Sequence, residues 1–369
     1  MKSGYRVVSA RERRLISEAV EKLELDLSGL VVLTEAATGR YGCTPLICAA
    51  AGCDRVFALT RDSKYGSAEK VTRDTKGAAV EMGLADRVQV ITEVSDEILG
   101  SADVVTNLGF VRPISRAVVE KLKATAAVPV MFETWEFREE DLDLSACWER
   151  GVCVLGTNEE HGALKIMDYL GSLVAMKLFE QGVEVTGSRL VVLGRGKFFP
   201  KVSESLEQMG ACVVRWLADV EDARPKMPRD ERLSVLSGVD AVIVADEPTS
   251  MGCIVGEGGA ISADDLATYC PDAVLVHLAG TVSRAELEAS RITCLPESAP
   301  EPGHMGWSLS ELGPKPVIDL HAGGLKVGEL LARARLAGLS PNEATESALR
   351  SSLCQDFSPE QKRRYGCPF

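Results

Sequence analysis

Residues 189–216, RLVVLGRGKFFPKVSESLEQMGACVVRW, decide the fold of this chain. The apolar run Leu190 to Leu193 reads as a buried strand. Gly194-Arg195-Gly196 follows as a tight turn, then a helical pattern that Gly210 ends, then a second strand from Cys212 to Trp216. A strand, a Gly-x-Gly turn and a helix within one βαβ unit is the setting of a dinucleotide site. The glycines let backbone N–H groups approach a pyrophosphate, and the helix N-terminus adds partial positive charge there. On this reading Gly194, Arg195, Gly196 and Lys197 contact the pyrophosphate. Two departures matter. The third glycine position holds Phe199, followed by Pro200, and no acid closes the second strand to grip a ribose. Arg215 stands there instead and suits a 2′-phosphate, so the cofactor is NAD or NADP, with a slight tilt to NADP. The competing reading is an ordinary βαβ unit that binds no nucleotide.

Upstream, Thr157 to Gly182 reads as a hinge: a helix capped at Thr157 or Asn158 and stopped by Gly182. Downstream, Gly238–Ala245, Asp272–Gly280 and Arg291–Leu295 read as strands, and Lys315–Leu320 (KPVIDL) as a last one, with a helix from Val327 to Leu336. A linking helix that delivers the chain to a strand and a glycine turn resembles the formate/glycerate dehydrogenase-like architecture. That architecture is shared by D-2-hydroxyacid dehydrogenases and adenosylhomocysteinase. The resemblance spans roughly residues 150–350 and rests on element order. It implies an NAD domain and a ligand domain with a cleft between them. The arginine that grips a substrate carboxylate in those dehydrogenases is missing after DAVLVHLAG, where Ala279-Gly280-Thr281 stand and Arg284 comes later.

The first half alternates too. Strands are expected at Leu30–Thr34, Val56–Thr60, Val88–Thr92, Asp103–Leu108, Val128–Phe132 and Val152–Leu155, with helical stretches such as Lys64–Met82 and Ser115–Thr125 between them. This predicts a parallel sheet covered on both faces. The expected fold is therefore α/β: two doubly wound, Rossmann-like parallel-sheet domains joined by a hinge helix. The boundaries are 1–157 for a substrate domain, 158–183 for the hinge, 184–325 for the dinucleotide domain, and 326–369 for C-terminal helices returning to the first domain. The first half is also similar to a methyltransferase Rossmann domain in its glycine loop, GCDRVFAL and GLADRVQVI, but it lacks G-x-G after the first strand and an acid after the second.

In such sheets ligands meet the loops past the carboxyl ends of the strands. Those loops offer Thr38 and Arg40 in EAATGRYGCTP, with Thr44-Pro45 as an expected N-cap and first helical position. They also offer Asn107 and Arg112 after the fourth strand and Glu133 after the fifth. Arg40 or Arg112 would hold an anionic group. The four histidines, His161, His277, His304 and His321, each fall past an expected strand or in a glycine loop. Histidine titrates near neutrality and can carry a proton while hydride moves. His277 and His321 are the favoured catalytic pair, with His161 a third candidate. His304 sits with Trp307 in the Pro296–Pro316 stretch, either a lid or a surface excursion anchored by the tryptophan.

These features point to an NAD(P)-dependent oxidoreductase acting on a small polar, carboxylate-bearing metabolite in the interdomain cleft. An adenosylhomocysteinase-like lyase or hydrolase with tightly held NAD is one alternative. A non-catalytic scaffold with a degenerate nucleotide site is another. The formal net charge of −13 disfavours nucleic acid and anionic membranes as partners. No run approaches the ~18 apolar residues of a spanning helix, and the N-terminal stretch reads as an amphipathic helix, so a cytoplasmic protein and a homodimer are expected. The eleven cysteines contain no C-x-x-C pair and sit mostly in apolar runs (Cys48, Cys153, Cys212, Cys294), which predicts reduced, buried thiols and no metal. Asp219–Arg232 reads as a solvated loop, and the tail Gln361–Phe369 as a basic, then apolar, segment.

Overall fold

The computed structural model describes residues 8–217, 233–247, 252–301 and 303–367. The charged loop expected at 219–232 lies outside the described residues, as do Pro302 and the last two residues of the tail. The strands are β1 (Val31–Glu35), β2 (Arg55–Leu59), β3 (Val88–Ile91), β4 (Val104–Val105), β5 (Ala127–Pro129), β6 (Cys153–Thr157), β7 (Arg189–Gly194), β8 (Cys212–Leu217), β9 (Ala241–Ala245), β10 (Val274–Ala279), β11 (Cys294–Leu295) and β12 (Cys354–Gln355). The chain forms two compact units, one of Met1–Ile166 with Gly313–Phe369 and one of Met167–Leu312.

The first unit holds a seven-stranded sheet in the order β12-β6-β5-β4-β1-β2-β3. All its pairs are parallel except β12 on β6. The strand order reverses at β1, so its switch point lies between β1 and β4. Around the sheet run α1 (Ala10–Lys22), α2 (Thr44–Ala50), α3 (Ala68–Glu81), α4 (Asp96–Ser101), α5 (Arg116–Val119) and α6 (Leu144–Arg150). Serine side chains cap α1 (Ser9) and α3 (Ser67), satisfying N–H groups of the first turn.

The second unit has α7 (Tyr169–Glu180), α8 (Phe198–Gln208), α9 (Ala263–Tyr269) and α10 (Arg284–Ala289), with a five-stranded, all-parallel sheet in the order β11-β10-β9-β7-β8. Its switch point lies between β7 and β9. Val191 and Leu193 pack to one face, and Leu190 and Val192 to the other. Both faces are therefore covered, which is why β7 reads as an unbroken apolar run. The α/β class with two parallel-dominated sheets is as the alternation predicted.

The expected strand Lys315–Leu320 is instead the start of α11 (Pro314–Leu336), which with α12 (Pro341–Ala348) and α13 (Pro359–Arg364) completes the first unit. Six apolar-rich residues cannot distinguish a strand from a buried helical turn; the residues that follow decide it. Gly323, Gly324 and Gly328 bring α11 onto the sheet. A Cβ at Gly324 would sit 2.5 Å from Met131 Sδ, and one at Gly328 would sit 2.7 Å from Val104 Cγ1. The hinge reading shifts as well. Thr157 is a strand residue, and Lys165 has φ +54, which no α-helix accommodates, so α7 starts only at Tyr169. Gly182, at φ +74, stops it as expected. Thr44 is the first residue of α2 and not its cap, which is Cys43. The fourth strand narrows to Val104–Val105.

All eleven cysteines are free; Cys212 is exposed and Cys294 only half-buried, contrary to the expectation of burial for both. Among the described residues no helix is long and apolar enough to cross a membrane, and no group of three or more metal-ligating side chains converges.

Candidate functional site

The glycine turn of the second unit lies at its switch point. Gly194 ends β7 where a side chain would collide with the Ala245 carbonyl oxygen. Gly196 has φ +64, and a Cβ there would strike the Glu247 side chain. Gly280, at φ +101, similarly leaves only 2.5 Å to Asp246 Cβ. The carboxyl ends of β7, β9 and β10 are thus drawn together through three missing side chains. Lys197 is the N-cap of α8, and no side chain caps the helix. The two aromatic residues do not cross the turn. Phe198 and Phe199 are buried in the core with Leu170, Val174, Val192 and Ile243. Pro200 lies in the first turn of α8, where its missing N–H costs nothing.

Charges at the turn are paired. Arg195 forks onto Asp246, with Nε to Oδ1 at 3.1 Å and Nη2 to Oδ2 at 2.8 Å, and Asp246 is fully buried. Arg215 forks onto Glu207 at 2.9 and 2.6 Å. Its guanidinium is therefore engaged by a carboxylate, which corrects the tilt toward NADP.

His277 is the fourth residue of β10, not a residue past it. Its Nε2 meets the Gly280 carbonyl at 2.9 Å, and its buried Nδ1 has no partner among the described residues. Burial, followed by the nearby Arg284 cation, lowers its pKa more than the Gly280 bond raises it, so the ring is neutral at pH 7. His304 is exposed in its loop. Trp307 is tucked under Lys177, whose Nζ lies 5.3 Å from the ring centroid and 2.7 Å from Glu311, so the tryptophan is an anchor.

The other predicted residues belong to the first unit and gather at the carboxyl edge of its sheet. His321 lies inside α11, not after a strand. Its Nδ1 is 2.6 Å from Thr44 Oγ1, its ring is 6.1 Å from that of Tyr41, and burial drives its pKa down to about 4. Arg40 is exposed on the 3-10 turn Gly39–Cys43, directly after Thr38. Asn107, past β4, is buried and accepts the Met131 N–H at 2.9 Å. Arg112 pairs with Asp141 at 2.6 Å. Glu133, past β5, accepts from Trp135 Nε1 at 2.6 Å. His161 lies in the turn after β6, where its Nδ1 accepts from the Ala163 N–H at 3.2 Å. His304, assigned to the same substrate set, belongs to the second unit.

Sequence reasoning assigned no role to Glu35. It is the last residue of β1, only 7% exposed, and forms no ion pair among the described residues. Gly109, at φ +34, folds over its carboxyl so closely that any Cβ would overlap it. Desolvation pushes its pKa up to about 7, against the pull of Arg112 and the Phe110 backbone N–H. The available signal was an acid closing the strand next to a switch point.

No protein-family model matches this chain, and no curated protein matches it. Solved structures do. A dipicolinate synthase component from Bacillus halodurans aligns with a TM-score of 0.51 at 14% identity, over 80% of this chain and 96% of that one. Its counterpart, the dipicolinate synthase from Bacillus subtilis, aligns with a TM-score of 0.53 at 14% identity, over 85% and 99%. The chain shares the two-domain, Rossmann-like α/β fold of these proteins.

Proposed function

We propose that the protein is a nicotinamide-dinucleotide oxidoreductase acting on a small polar, carboxylate-bearing metabolite. The observation that carries this reading is the strand–glycine turn–helix unit at the switch point of the second sheet, with both phenylalanines turned into the core. The backbone N–H groups of Gly196 and Lys197 and the N-terminus of α8 would hold the pyrophosphate. The turn fits such a group on one condition: the Glu247 side chain must turn aside from Gly196. Arg195, held by Asp246, then braces the turn rather than reaching for phosphate. The Arg215–Glu207 fork favours NAD over NADP, because a 2′-phosphate would have to displace a carboxylate.

The bound cofactor would supply hydride. The protein's part is to seat the dinucleotide and to hold a neutral imidazole at the end of β10, where His277 Nδ1 is a proton acceptor in search of a donor. His321, the second candidate, is also neutral, with Thr44 fixing its ring. Titrating the full chain with NADH and NADPH while following nucleotide fluorescence tests the reading. NADH should bind and NADPH should bind more weakly; no change with either overturns it.

One observation favours a scaffold with a sealed turn instead: Glu247 and Asp246 put two carboxylates beside Gly196 and Arg195. The same titration separates the two readings.

A further inference from the structure

We propose that Glu35 is the proton-exchanging group of a second ligand site, at the switch point of the first sheet, which takes a small carboxylate together with one proton. The proposal extends the carboxylate half of the reading above and does not use the nucleotide half.

Other buried acids of the first unit are committed. Asp103 bonds the Val31 N–H at 2.9 Å and pairs with Lys123. Asp319 holds Lys22 at 3.3 Å and Lys315 at 2.6 Å. Glu329 holds Lys326 at 2.9 Å and accepts the Asp26 N–H at 3.0 Å. Each ties two parts of the chain together, which accounts for its burial. Glu35 ties nothing. A buried carboxyl with no ion pair costs free energy that the fold could avoid with an apolar residue. Its place is beyond the carboxyl ends of β1 and β4, the edge of an open α/β sheet at which ligands bind. Gly109 accommodates the carboxyl there and leaves no room for a side chain of its own.

The surroundings select the ligand's charge. Arg112 and the Phe110 N–H face Glu35, and Arg40 stands on the turn that follows β1. The strand ends beside it, Leu59-Thr60 of β2 and Thr106-Asn107 past β4, bring no ionisable group. His321, held on α2 through Thr44, stays neutral above pH 6. The nearby acids are engaged: Asp141 by Arg112, and Glu133 by Trp135. Glu159, buried past β6, also has partners. Arg112 is already neutralised by Asp141, so the exposed guanidinium of Arg40 is the cation that an ammonium would meet and to which a carboxylate is drawn. The neutral form of Glu35 then donates its O–H to the ligand oxygen, a charge-assisted bond, and the ionised form repels it. Binding therefore takes up one proton from solvent wherever Glu35 was ionised: that proton forms the Glu35 O–H, which donates to the ligand oxygen, and no other covalent bond changes.

Isothermal titration of the full chain without nucleotide, at pH 6, 7 and 8, with pyruvate, malate and 2-oxoglutarate as probes, tests this. Ethylamine is the cationic control. At least one carboxylate should bind, with Kd weakening about tenfold from pH 6 to 8 and proton uptake approaching one at pH 8, read from buffers of different ionisation enthalpy. Glu35→Gln, which keeps a hydrogen-bond donor, should bind the same probe with no pH slope and no proton uptake. Failure of every carboxylate to bind, tighter binding at higher pH, binding of ethylamine instead, or an unchanged slope in Glu35→Gln each overturns the proposal. Carboxylate binding without any NADH binding would sink the nucleotide reading and leave this one standing.

Discussion

The carboxyl edges of the two sheets follow opposite electrostatic rules. At the second, Arg195 and the fully buried Asp246 neutralise each other through a two-bond fork, and glycines 194, 196 and 280 lock the strand ends together. At the first, Glu35 is buried near the half-exposed Arg112, which pairs with Asp141, and forms no ion pair of its own among the described residues. A paired charge stabilises geometry; an unpaired one stores a protonation equilibrium. The second edge therefore keeps its geometry through a neutralised pair, whereas the first leaves a buried carboxyl able to titrate.

The largest expected effect breaks the paired edge. Asp246→Ala removes the fully buried carboxylate that grips Arg195 through two bonds, and should cost about 3–5 kcal/mol, read from the urea midpoint of the second unit's transition. A loss below about 1 kcal/mol would mean that the fork is ornamental.

Next comes pH. His321 falls from 6.5 to about 4 on folding, so the unfolded chain binds the proton more readily. Its contribution is present above pH 6.5 and is lost as pH falls toward 4, by roughly 3 kcal/mol at most. Glu35 rises from 4.5 to about 7, so the folded chain holds the proton longer. Its contribution is full below pH 4.5 and is lost as pH rises through 7, again by roughly 3 kcal/mol at most. The two slopes oppose each other between pH 4.5 and 6.5 and nearly cancel in the wild type. Chemical denaturation of Glu35→Gln should uncover the rise with pH due to His321, and His321→Phe the fall due to Glu35. Parallel pH profiles in both variants would contradict the assignment.

A smaller effect sharpens the contrast. Gly109→Ala pushes a methyl group into the Glu35 carboxyl at a positive φ and should cost about 1–3 kcal/mol in a thermal melt. It should also return Glu35 toward an ordinary carboxylate pKa, seen by carboxyl carbon NMR. Smallest of all, Arg215→Ala removes an exposed fork with Glu207 and should change stability by less than about 1 kcal/mol. If NADPH bound tighter than NADH in the wild type, this variant would be the one to reverse it.

Much of the framework was readable from the chain. Unbroken runs such as Leu190–Leu193 and Val56–Leu59 are what a doubly covered parallel strand requires, and glycines such as Gly182 and Gly210 stop helices where the left-handed conformation is needed. Lys315–Leu320 misled because its six residues satisfy a strand and a helix equally. The decisive signal was the small-residue face Gly323, Gly324 and Gly328, which only long-range packing on Met131 and Val104 explains. Lys165 gave no warning of its positive φ. The histidines drew notice because of their chemistry, yet His277 and His321 lie within regular elements and point into the protein. Glu35 heads the loop EAATGRYGCTP but was given no role of its own, because a glutamate at the end of a strand looks like an exposed loop acid until the fold of Gly109 over it is known. The pairing of Arg195 with Asp246 joins residues 51 positions apart, and no local pattern announces it.

The function proposed for the second unit requires the backbone amides of Gly196 and Lys197 to receive a dinucleotide, independently of the titrating edge of the first unit. Fluorescence titration of NADH into the wild type, Gly196→Val and Glu35→Gln decides whether they do. Saturable binding by the wild type and by Glu35→Gln, with none by a folded Gly196→Val, is the expected result. Equal binding by Gly196→Val, or none by the wild type, would contradict it.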